Sequence, residues 1–317
     1  MEKTSKKKKI IIAVILAVVI LFGGVSYFVG TQIVAASTHL VTNEQTMEMY
    51  KGSWELEGFN FERFTGRYQI EEMSIPSSFD DHTLPFDIVT TDDNKNFVVM
   101  AHGMMGNRLT NYPTAEIFLE NGYNVISYDQ RSSGNNFAEL STFGYWEKYD
   151  LIDCINYTKE HYPEAKIVVW GESFGGATAL LGVAHEDVQK DVSALILDCP
   201  VSSMAYMVEA SMKEMGIPLP MSYMMDCGNL ANQQKLGFGY EDVEGIPAAE
   251  KITVPTLVFN SKADEITPEF MGKDIYEHLS SEHKELYTSE NCAHIEIRNH
   301  EREIYIEKIL KCLSFVE

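Results

Sequence analysis

The sequence predicts an α/β protein in which helices cover both faces of a mainly parallel, eight-stranded sheet. First, short apolar runs alternate along the chain with segments whose apolar residues recur at helical spacing. Second, glycines stand just after two of these runs, where a buried strand must turn. Third, the composition is ordinary for a globular protein, with 45% hydrophobic and 23% charged residues. About 280 residues follow the N-terminal thirty, enough for a single large domain.

The strands are expected to begin with an antiparallel pair. Residues 67–76 and 83–91 flank a polar turn at residues 77–81. The next six strands are short apolar runs, typical of parallel strands buried on both faces. They are expected at residues 97–101, 123–128, 167–170, 192–198, 256–260 and 284–288. In such a sheet, functional groups gather in loops at the carboxyl ends of the strands.

Helices are expected before and between these strands. They are placed near residues 43–51, 112–121 and 145–161, after Ser173, and from about residue 299 onward. The segment at 145–161 repeats large apolar residues at helical spacing. The final segment brings Tyr305, Ile309 and Leu313 onto one face, as expected for a helix packed on the sheet.

A basic tail precedes a long apolar segment. Residues 1–9 carry five lysines and one glutamate, and residues 10–29 carry no charge. As a helix, twenty residues span about 30 Å, the thickness of a bilayer's hydrocarbon core. The lysines predict a single-pass anchor in the cell membrane, with the N-terminus cytoplasmic and the catalytic domain outside. A cleaved signal peptide is the alternative, since Val34-Ala35-Ala36 offers a cleavage site, but the length of the run favours the anchor.

The remainder of the chain is strongly acidic. The net charge is −22 although the tail is basic. Such a surface repels phosphate, so nucleic-acid binding is not expected, and a solvated acidic surface explains the charge. The five cysteines lack a C-x-x-C motif and the spacing of a disulfide framework. They are expected to be mostly unpaired and buried, and one bridge is left open.

Residues 202–250 interrupt the alternation of strands and helices. They contain seven of the fifteen methionines, and an inserted lid over the carboxyl edge of the sheet is expected there. Methionines fill irregular gaps in any packed segment. They also form an adaptable apolar wall for an acyl or aromatic group. The candidates for substrate contact are Met204, Met207, Met221, Met224 and Met225.

Ser173 lies in the sequence GESFGG, between an apolar strand and a helix pattern. Gly171, Gly175 and Gly176 remove side chains where the strand must reverse into the helix. A G-x-S-x-G sequence alone is common, but the strand before it and the helix after it are the context that the nucleophile interpretation requires. Ser173 is therefore predicted to be a nucleophile.

A serine hydroxyl needs a base, and the base needs an orienting group. His294 follows the last predicted strand, and Asp264 follows the strand before it. The order Ser173, Asp264, His294 is the order of an α/β-hydrolase triad. Asp198, which also ends a strand, and Glu265 are the alternatives for the acid.

The sequence resembles the α/β-hydrolases, specifically membrane-anchored bacterial hydrolases related to prolyl-oligopeptidase-like and serine-aminopeptidase-like esterases. Five fragments in order carry the resemblance: AHGMMGNR (101–108), YDQRSSGNN (128–136), GESFGG (171–176), SKADEITP (261–268) and CAH (292–294). They span about residues 66–313. The resemblance implies the α/β-hydrolase fold and a serine hydrolase, but it names no substrate.

The resemblance also implies roles for single residues. Ser173 would attack a carbonyl carbon, His294 would carry the proton, and Asp264 would orient the imidazole. The backbone N–H groups of Phe174 and Met104 would form the oxyanion hole. Relatives often have D-x-R-G-x-G-x-S where this chain has residues 129–136, and Asp129 and Arg131 are expected to form an ion-paired scaffold there.

Neither a cofactor nor a metal is expected. His294, Glu296 and His300 lack the spacing of a zinc protease. Cys292 lacks an elbow of its own, so a packing role is expected for it.

The predicted organisation has four parts: a basic tail at 1–9, an anchor at 10–29, a juxtamembrane linker at 30–65, and a hydrolase domain at 66–317 with its lid at about 202–250. The leading function is hydrolysis of a carboxylic ester, with a small ester or acyl compound as substrate. A peptidase for short peptides and a catalytically idle binding module at the cell surface are the alternatives. The sequence makes no prediction of oligomeric state.

Overall fold

The computed structural model describes residues 2–39, 41–91 and 94–316, with side chains from Lys6 onward, so part of the tail predicted at 1–9 lies outside them. The described chain forms two compact units. The smaller contains the residues up to Thr38 together with Ala205–Asp242. The larger contains His39–Met204 and the residues from Val243 onward.

The larger unit is built on an eight-stranded sheet. Its strands are β1 Gln69–Pro76, β2 Thr83–Thr90, β3 Asn96–Ala101, β4 Tyr123–Tyr128, β5 Ile167–Glu172, β6 Val192–Asp198, β7 Thr256–Ser261 and β8 Lys284–Ser289. They are ordered β1-β2-β4-β3-β5-β6-β7-β8. The pairs β1–β2 and β2–β4 are antiparallel, and the other pairs are parallel. The predicted mainly parallel, eight-stranded sheet is confirmed.

Twelve helices lie in the described residues. They are α1 Glu2–Thr38, α2 Asn43–Leu56, α3 Phe61–Thr65, α4 Tyr112–Leu119, α5 Glu147–His161, α6 Phe174–Val183, α7 Met204–Glu214, α8 Met221–Leu236, α9 Gly245–Ala249, α10 Glu269–His278, α11 Ile297–His300 and α12 Arg302–Leu313. Short 3₁₀ turns occupy Arg108–Asn111, Gln189–Asp191 and Tyr240–Val243.

Hydrophobic residues fill both faces of the sheet. In β3, Phe97 and Val99 belong to the cluster that includes Leu151 of α5. Val98 and Met100 belong to the cluster on the other face. This alternation follows because successive side chains of a strand point to opposite faces of the sheet. Close packing on both faces holds the carboxyl ends of the central strands rigidly in place.

The segment expected as a juxtamembrane linker, residues 30–65, is largely helical. Helix α1 continues to Thr38, and α2 extends beyond the predicted residue 51 to Leu56. Thr42 and Gln45 form a capping box that fixes the start of α2. Near its end, Trp54 donates from Nε1 to the carbonyl oxygen of Leu109 at 2.8 Å. Tertiary contacts of this kind stabilise a helix that its own periodicity only partly predicts.

In the smaller unit, α8 packs against α1. The hydroxyl groups of Ser26 and Tyr223 are 2.9 Å apart, and the rings of Phe22 and Tyr223 are 5.9 Å apart. Gly30 allows the close approach, since a Cβ there would lie 2.3 Å from the carbonyl oxygen of Cys227. The segment expected as a lid on the sheet edge therefore has α1 as a helical partner.

Among the described residues, one helix has the length and composition to cross a membrane. It spans Lys6–Thr38, and its most apolar stretch of eighteen residues has a mean hydropathy of 2.8 with no residue buried. Membrane anchors and signal sequences both contain an N-terminal apolar helix of this kind.

Candidate active site

Ser173 stands at the sharp turn between β5 and α6. Its φ of 53° is in a region that L-residues rarely adopt. The turn depends on Gly175, where a Cβ would lie 2.2 Å from the carbonyl oxygen of Ala101. It also depends on Gly176, where a Cβ would lie 2.9 Å from the Cα of Pro200. Backbone cannot yield to a methyl group as a side chain can, so these glycines hold the strained serine in place.

Ser173, His294 and Asp264 come together in one hydrogen-bonded chain. The Oγ of Ser173 is 2.8 Å from Nε2 of His294. The Nδ1 of the same ring is 2.7 Å from Oδ2 of Asp264. The serine follows β5, the aspartate follows β7 and the histidine follows β8, so all three lie beyond the carboxyl ends of parallel strands.

The carboxylate of Asp264 is held by several donors. Its Oδ1 accepts hydrogen bonds from the backbone N–H groups of Ile266 and Thr267 at 2.9 and 2.8 Å. The hydroxyl of Thr267 donates to Oδ2 at 2.8 Å. Burial acts to raise the pKa of Asp264, but the bonds from His294 and Thr267 outweigh it and lower the pKa below its usual value. The carboxylate is therefore ionised at neutral pH.

Thr267 was missed as part of the site in the sequence analysis. Its hydroxyl also lies 3.1 Å from Nδ1 of His294. A Thr-Pro pair is an ordinary signal for the start of a helix, which hides this second contact. Only the spacing of three residues after Asp264, the spacing of a local side-chain turn, could have indicated it.

Asp198, the alternative acid, has a different partner. Its Oδ2 accepts a hydrogen bond from the hydroxyl of Tyr305 at 2.8 Å. That hydroxyl in turn accepts one from Nε1 of Trp170 at 3.1 Å. Burial raises the pKa of Asp198 to about 6. The geometry favours Asp264 as the partner of His294, and the second alternative, Glu265, has an exposed side chain.

The two proposed oxyanion donors come from the residues that follow β5 and β3. Phe174 is the first residue of α6, so its N–H has no intrahelical acceptor. Met104 lies in the turn after β3 that is closed by a hydrogen bond from the N–H of Gly106 to the carbonyl oxygen of Gly103 at 3.1 Å. Their part in binding an oxyanion stays a prediction.

The His102 side chain is hydrogen-bonded to this turn. The N–H of Gln130 donates to its Nε2 at 3.0 Å, so the ring proton is on Nδ1 and is donated to the carbonyl oxygen of Gly103 at 2.8 Å. Burial lowers the pKa of His102. The ring is therefore neutral, and both of its nitrogens are hydrogen-bonded within the scaffold.

Asp129 and Arg131 are each buried in an ion pair, as expected of the scaffold, but they do not pair with each other. Asp129 pairs with Arg108 at 2.7 Å, and Arg131 pairs with Asp80 at 2.8 Å. The loop explains the difference, because at Gly134 a Cβ would lie 2.4 Å from the carboxylate of Asp129. The loop thus wraps around the aspartate, while the side chain of Arg131 extends to the carbonyl oxygen of Leu140 at 3.0 Å and away from Asp129.

A cavity of about 550 Å³ opens beside His294 and Met104. Its rim is apolar and exposed, including Met49 and Leu56 of α2. This volume is in the range of small-molecule sites. The sequence does not indicate α2 as a wall of this cavity, because residues 30–65 are predicted to form a linker.

An ion-paired cluster forms the polar part of this cavity. Arg298 contacts Glu57 at 3.1 Å and also contacts Glu172. Burial opposes the charge of Arg298, but the two carboxylates raise its pKa well above the usual value. The pairing offsets the cost of three buried charges and fixes Glu172, the residue directly before Ser173.

The five methionines proposed for substrate contact fall in both units. Met204 is fully buried at the start of α7, in the larger unit. Met207, Met221, Met224 and Met225 are in the smaller unit, where Met224 is buried and the others are half-buried. Their contact with a substrate stays a prediction.

One set of three potential metal ligands comes together among the described residues. The ligand atoms of Cys199, Asp264 and His294 lie within 4.8 Å of one another. Two of them already bond each other, and burial raises the pKa of the Cys199 thiol well above its usual value. Metal binding would require the thiolate, so the set is poorly suited to hold an ion. All five cysteines are free and buried.

Comparison with known proteins agrees with this architecture. A family model described as the alpha/beta hydrolase fold matches residues 96–216. The structure of the esterase Pf2001 from Pyrococcus furiosus superposes with a TM-score of 0.65 at 19% identity, covering 80% of this chain and 95% of that one. The chain has the α/β-hydrolase fold.

Two further proteins are similar to this chain. The YqkD protein of Bacillus subtilis strain 168 is 26% identical over 231 residues, which cover 71% of this chain and 73% of that protein. The esterase EaEST from Exiguobacterium antarcticum has a TM-score of 0.55 at 20% identity, with 78% of this chain and 99% of that one covered. The chain thus resembles esterases in structure.

Proposed function

We propose that this α/β-hydrolase is a serine hydrolase that cleaves carboxylic esters through an acyl-enzyme. The observation that carries the proposal is the continuous chain of short hydrogen bonds, 2.8 Å from Ser173 to His294 and 2.7 Å from His294 to Asp264. A serine gains nucleophilicity when a base lies within hydrogen-bonding distance and a third group orients that base.

In the proposed reaction, the Oγ of Ser173 attacks the ester carbonyl carbon while its proton passes to Nε2 of His294. The carbonyl oxygen becomes an oxyanion, which the N–H groups of Phe174 and Met104 stabilise. The C–O bond to the alcohol breaks, and His294 protonates the departing oxygen. Water then attacks the acyl carbon while one of its protons passes to Nε2 of His294. The bond between the acyl carbon and Oγ of Ser173 breaks, His294 returns the proton to Oγ, and the acid is released. Throughout, ionised Asp264 stabilises the imidazolium.

An ester with an apolar acyl group suits the cavity. Met49, Leu56, Met104 and Met105 are 37–85% exposed around it, and an apolar chain would cover them. Two structurally similar proteins are esterases, which supports the same class here. The methionines of α7 and α8 are the further proposed contacts.

The first test is covalent labelling of the full chain in detergent with a fluorophosphonate probe. Wild-type protein is expected to be labelled, and Ser173→Ala is expected to abolish labelling. Ser78→Ala, which changes an exposed serine far along the chain, is the matched control and keeps it. A folded wild type that resists the probe would overturn the proposal and favour an idle binding module.

The second test separates esters from peptides. A chain-length series of p-nitrophenyl esters is compared with aminoacyl-nitroanilides on the same preparation. Ester hydrolysis with a preference for longer acyl groups is expected. Faster cleavage of the nitroanilides would replace the esterase proposal with a peptidase for short peptides.

The proposal includes an anchored state for the enzyme, with α1 as a single-pass anchor, its N-terminus in the cytoplasm and the catalytic domain outside. The apolar residues of α1 from Ile10 to Phe28 are largely exposed, which suits a lipid environment. Full-length chain is expected to resist carbonate extraction from membranes, and protease added to intact cells is expected to remove the domain. A mature chain that lacks α1 would indicate a signal peptide instead.

A further inference from the structure

The turn between α7 and α8 exposes apolar side chains. Met215, Ile217 and Leu219 are 57, 39 and 40% exposed. The eleven residues 215–225 carry no charge, while Glu214 precedes them and Asp226 follows them. Apolar surface gathered in one uncharged turn indicates a partner surface.

Helix α8 runs parallel to α1 within the smaller unit. Tyr223 lies beside Phe22 and Ser26. One turn further along both helices, Gly30 lies against Cys227 and Ala231. Residue numbers thus increase in the same direction on both helices. The first turn of α8 therefore lies level with Phe22, and residues 215–220 lead directly into that turn.

The level of Phe22 is inside the apolar span. Phe22 lies seven residues before Val29, the last residue of the uncharged stretch proposed as the anchor. Seven residues correspond to about 10 Å along a helix. The turn is suited to this depth. Pro218 and Pro220 have no N–H to satisfy, and the Tyr223 hydroxyl is paired with Ser26.

We propose that the turn at residues 215–221 inserts into the outer leaflet of the membrane beside α1, as a second contact of this chain with lipid hydrocarbon. The proposal rests on α1 being a membrane anchor. Lipid is the occupant because the turn leads directly into the first turn of α8, which lies level with Phe22, where the apolar surface of α1 is exposed. Asp226, about 5 Å further along the helix axis than Tyr223, lies toward the headgroups and limits the insertion.

The test places a photoreactive side chain at chosen positions of the full-length chain in phosphatidylcholine–phosphatidylglycerol vesicles. Leu219→benzoylphenylalanine reports on the turn, with the same substitution at Ile217 as a second position. The matched control is Leu230, an equally apolar residue on α8 that is 55% exposed. It lies level with Gly30, near the boundary between the lipid hydrocarbon and the headgroups. Ile15 reports on the anchor, and Phe137, 69% exposed in the larger unit, reports on water-facing surface. Lipid adducts are measured by mass spectrometry on variants with the circular dichroism of the wild type.

Leu219 is expected to give lipid adducts at a yield close to that of Ile15 and about tenfold above that of Phe137. The yield at Leu230 is expected to lie between the yields at Leu219 and Phe137. If Ile15 captures lipid while Leu219 and Ile217 stay at the level of Phe137, the insertion is wrong and the anchor stands. If Ile15 also fails to capture lipid, the anchor is wrong and the insertion with it. Adducts of Leu219 with a second copy of the chain, in place of lipid, would also overturn the insertion.

Discussion

At the scale of single residues, two buried aspartates show how environment separates chemical roles. Asp264 and Asp198 follow or end neighbouring parallel strands, β7 and β6. For Asp264, burial acts to raise the pKa, but the bonds from His294 and Thr267 outweigh it and lower the pKa. For Asp198, burial dominates and its pKa is raised to about 6. The first is suited to stabilise an imidazolium, and the second to hold Tyr305.

Replacing each aspartate tests this assignment. Asp264→Asn is expected to lower kcat by on the order of 10³- to 10⁴-fold, because the amide cannot stabilise the charged imidazole. Asp198→Asn keeps an acceptor for Tyr305 and is expected to change kcat by less than about tenfold. Steady-state kinetics on a p-nitrophenyl ester measures both. Equal losses in the two variants would contradict the assignment of Asp264.

The stability of the protein should depend on pH through Asp198. Its folded pKa of about 6 lies above the unfolded value near 4, so the folded state binds the proton more tightly. The stability that protonated Asp198 contributes to the folded state is complete below about pH 4. It is lost as the pH rises through 6, because the buried carboxyl group then becomes charged. Asn does not ionise, so the Asp198→Asn variant does not lose stability in this way. The free energy of unfolding of the variant, relative to that of the wild type, is therefore expected to rise between pH 4 and 7.

The expected gain is on the order of 2–3 kcal/mol. Urea unfolding of both proteins at pH 4, 5, 6 and 7 measures it. Parallel pH profiles for the variant and the wild type would show that Asp198 titrates normally in the folded state.

At the scale of elements, the turn from β5 into α6 depends on backbone proximity. Gly175→Ala is expected to destabilise the protein by about 1–3 kcal/mol and to slow fluorophosphonate labelling, since its methyl group would meet the carbonyl oxygen of Ala101. Gly182, on the same helix, is the matched control. There the atom nearest to a Cβ is Cδ2 of the Leu151 side chain, which can move, so Gly182→Ala is expected to stay within about 1 kcal/mol of wild type. Urea midpoints and labelling rates that fall equally in both variants would argue against a special role for the turn.

Helix α2 contributes a wall of the cavity, and Gly52 is the position to test it. A Cβ at Gly52 meets no atom within 4 Å, so a larger side chain there can occupy the cavity that this residue lines. Gly52→Phe is expected to reduce kcat/KM for the longest accepted acyl ester by about tenfold or more, with a smaller effect on the acetyl ester. Gly52→Ala adds only a methyl group and separates helix propensity from volume. A uniform loss across all chain lengths would place the acyl group elsewhere.

At the scale of the whole chain, two segments more than 160 residues apart in sequence form one compact unit. The contact of α1 with α8 depends on Gly30, where a larger side chain would collide with the backbone of Cys227. Gly30→Leu is therefore expected to loosen α8 and increase trypsin cleavage after Lys235 several-fold. Gly23→Leu is the control, since a Cβ at Gly23 meets nothing within 4 Å. Identical digestion of the two variants would show that the helices do not depend on this contact.

Sequence alone predicted the sheet, the helices that cover it, and the candidates Ser173, Asp264 and His294. These features follow from local rules: buried parallel strands are short apolar runs, glycines mark the sharp turn, and strand order brings the loops to one edge. The long apolar helix was equally clear, since its signal is continuous over twenty residues.

Other features were decided only by the tertiary structure. Arg108, and not Arg131, pairs with Asp129, and Thr267 joins the hydrogen bonds around Asp264. Helix α2 lines the cavity, and α8 packs on α1. Each is a contact between residues whose side chains have several possible partners, and hydrophobic periodicity shows which face is buried without showing what covers it. The choice among partners is made by close packing and by the need to pair every buried charge, which are properties of the folded molecule.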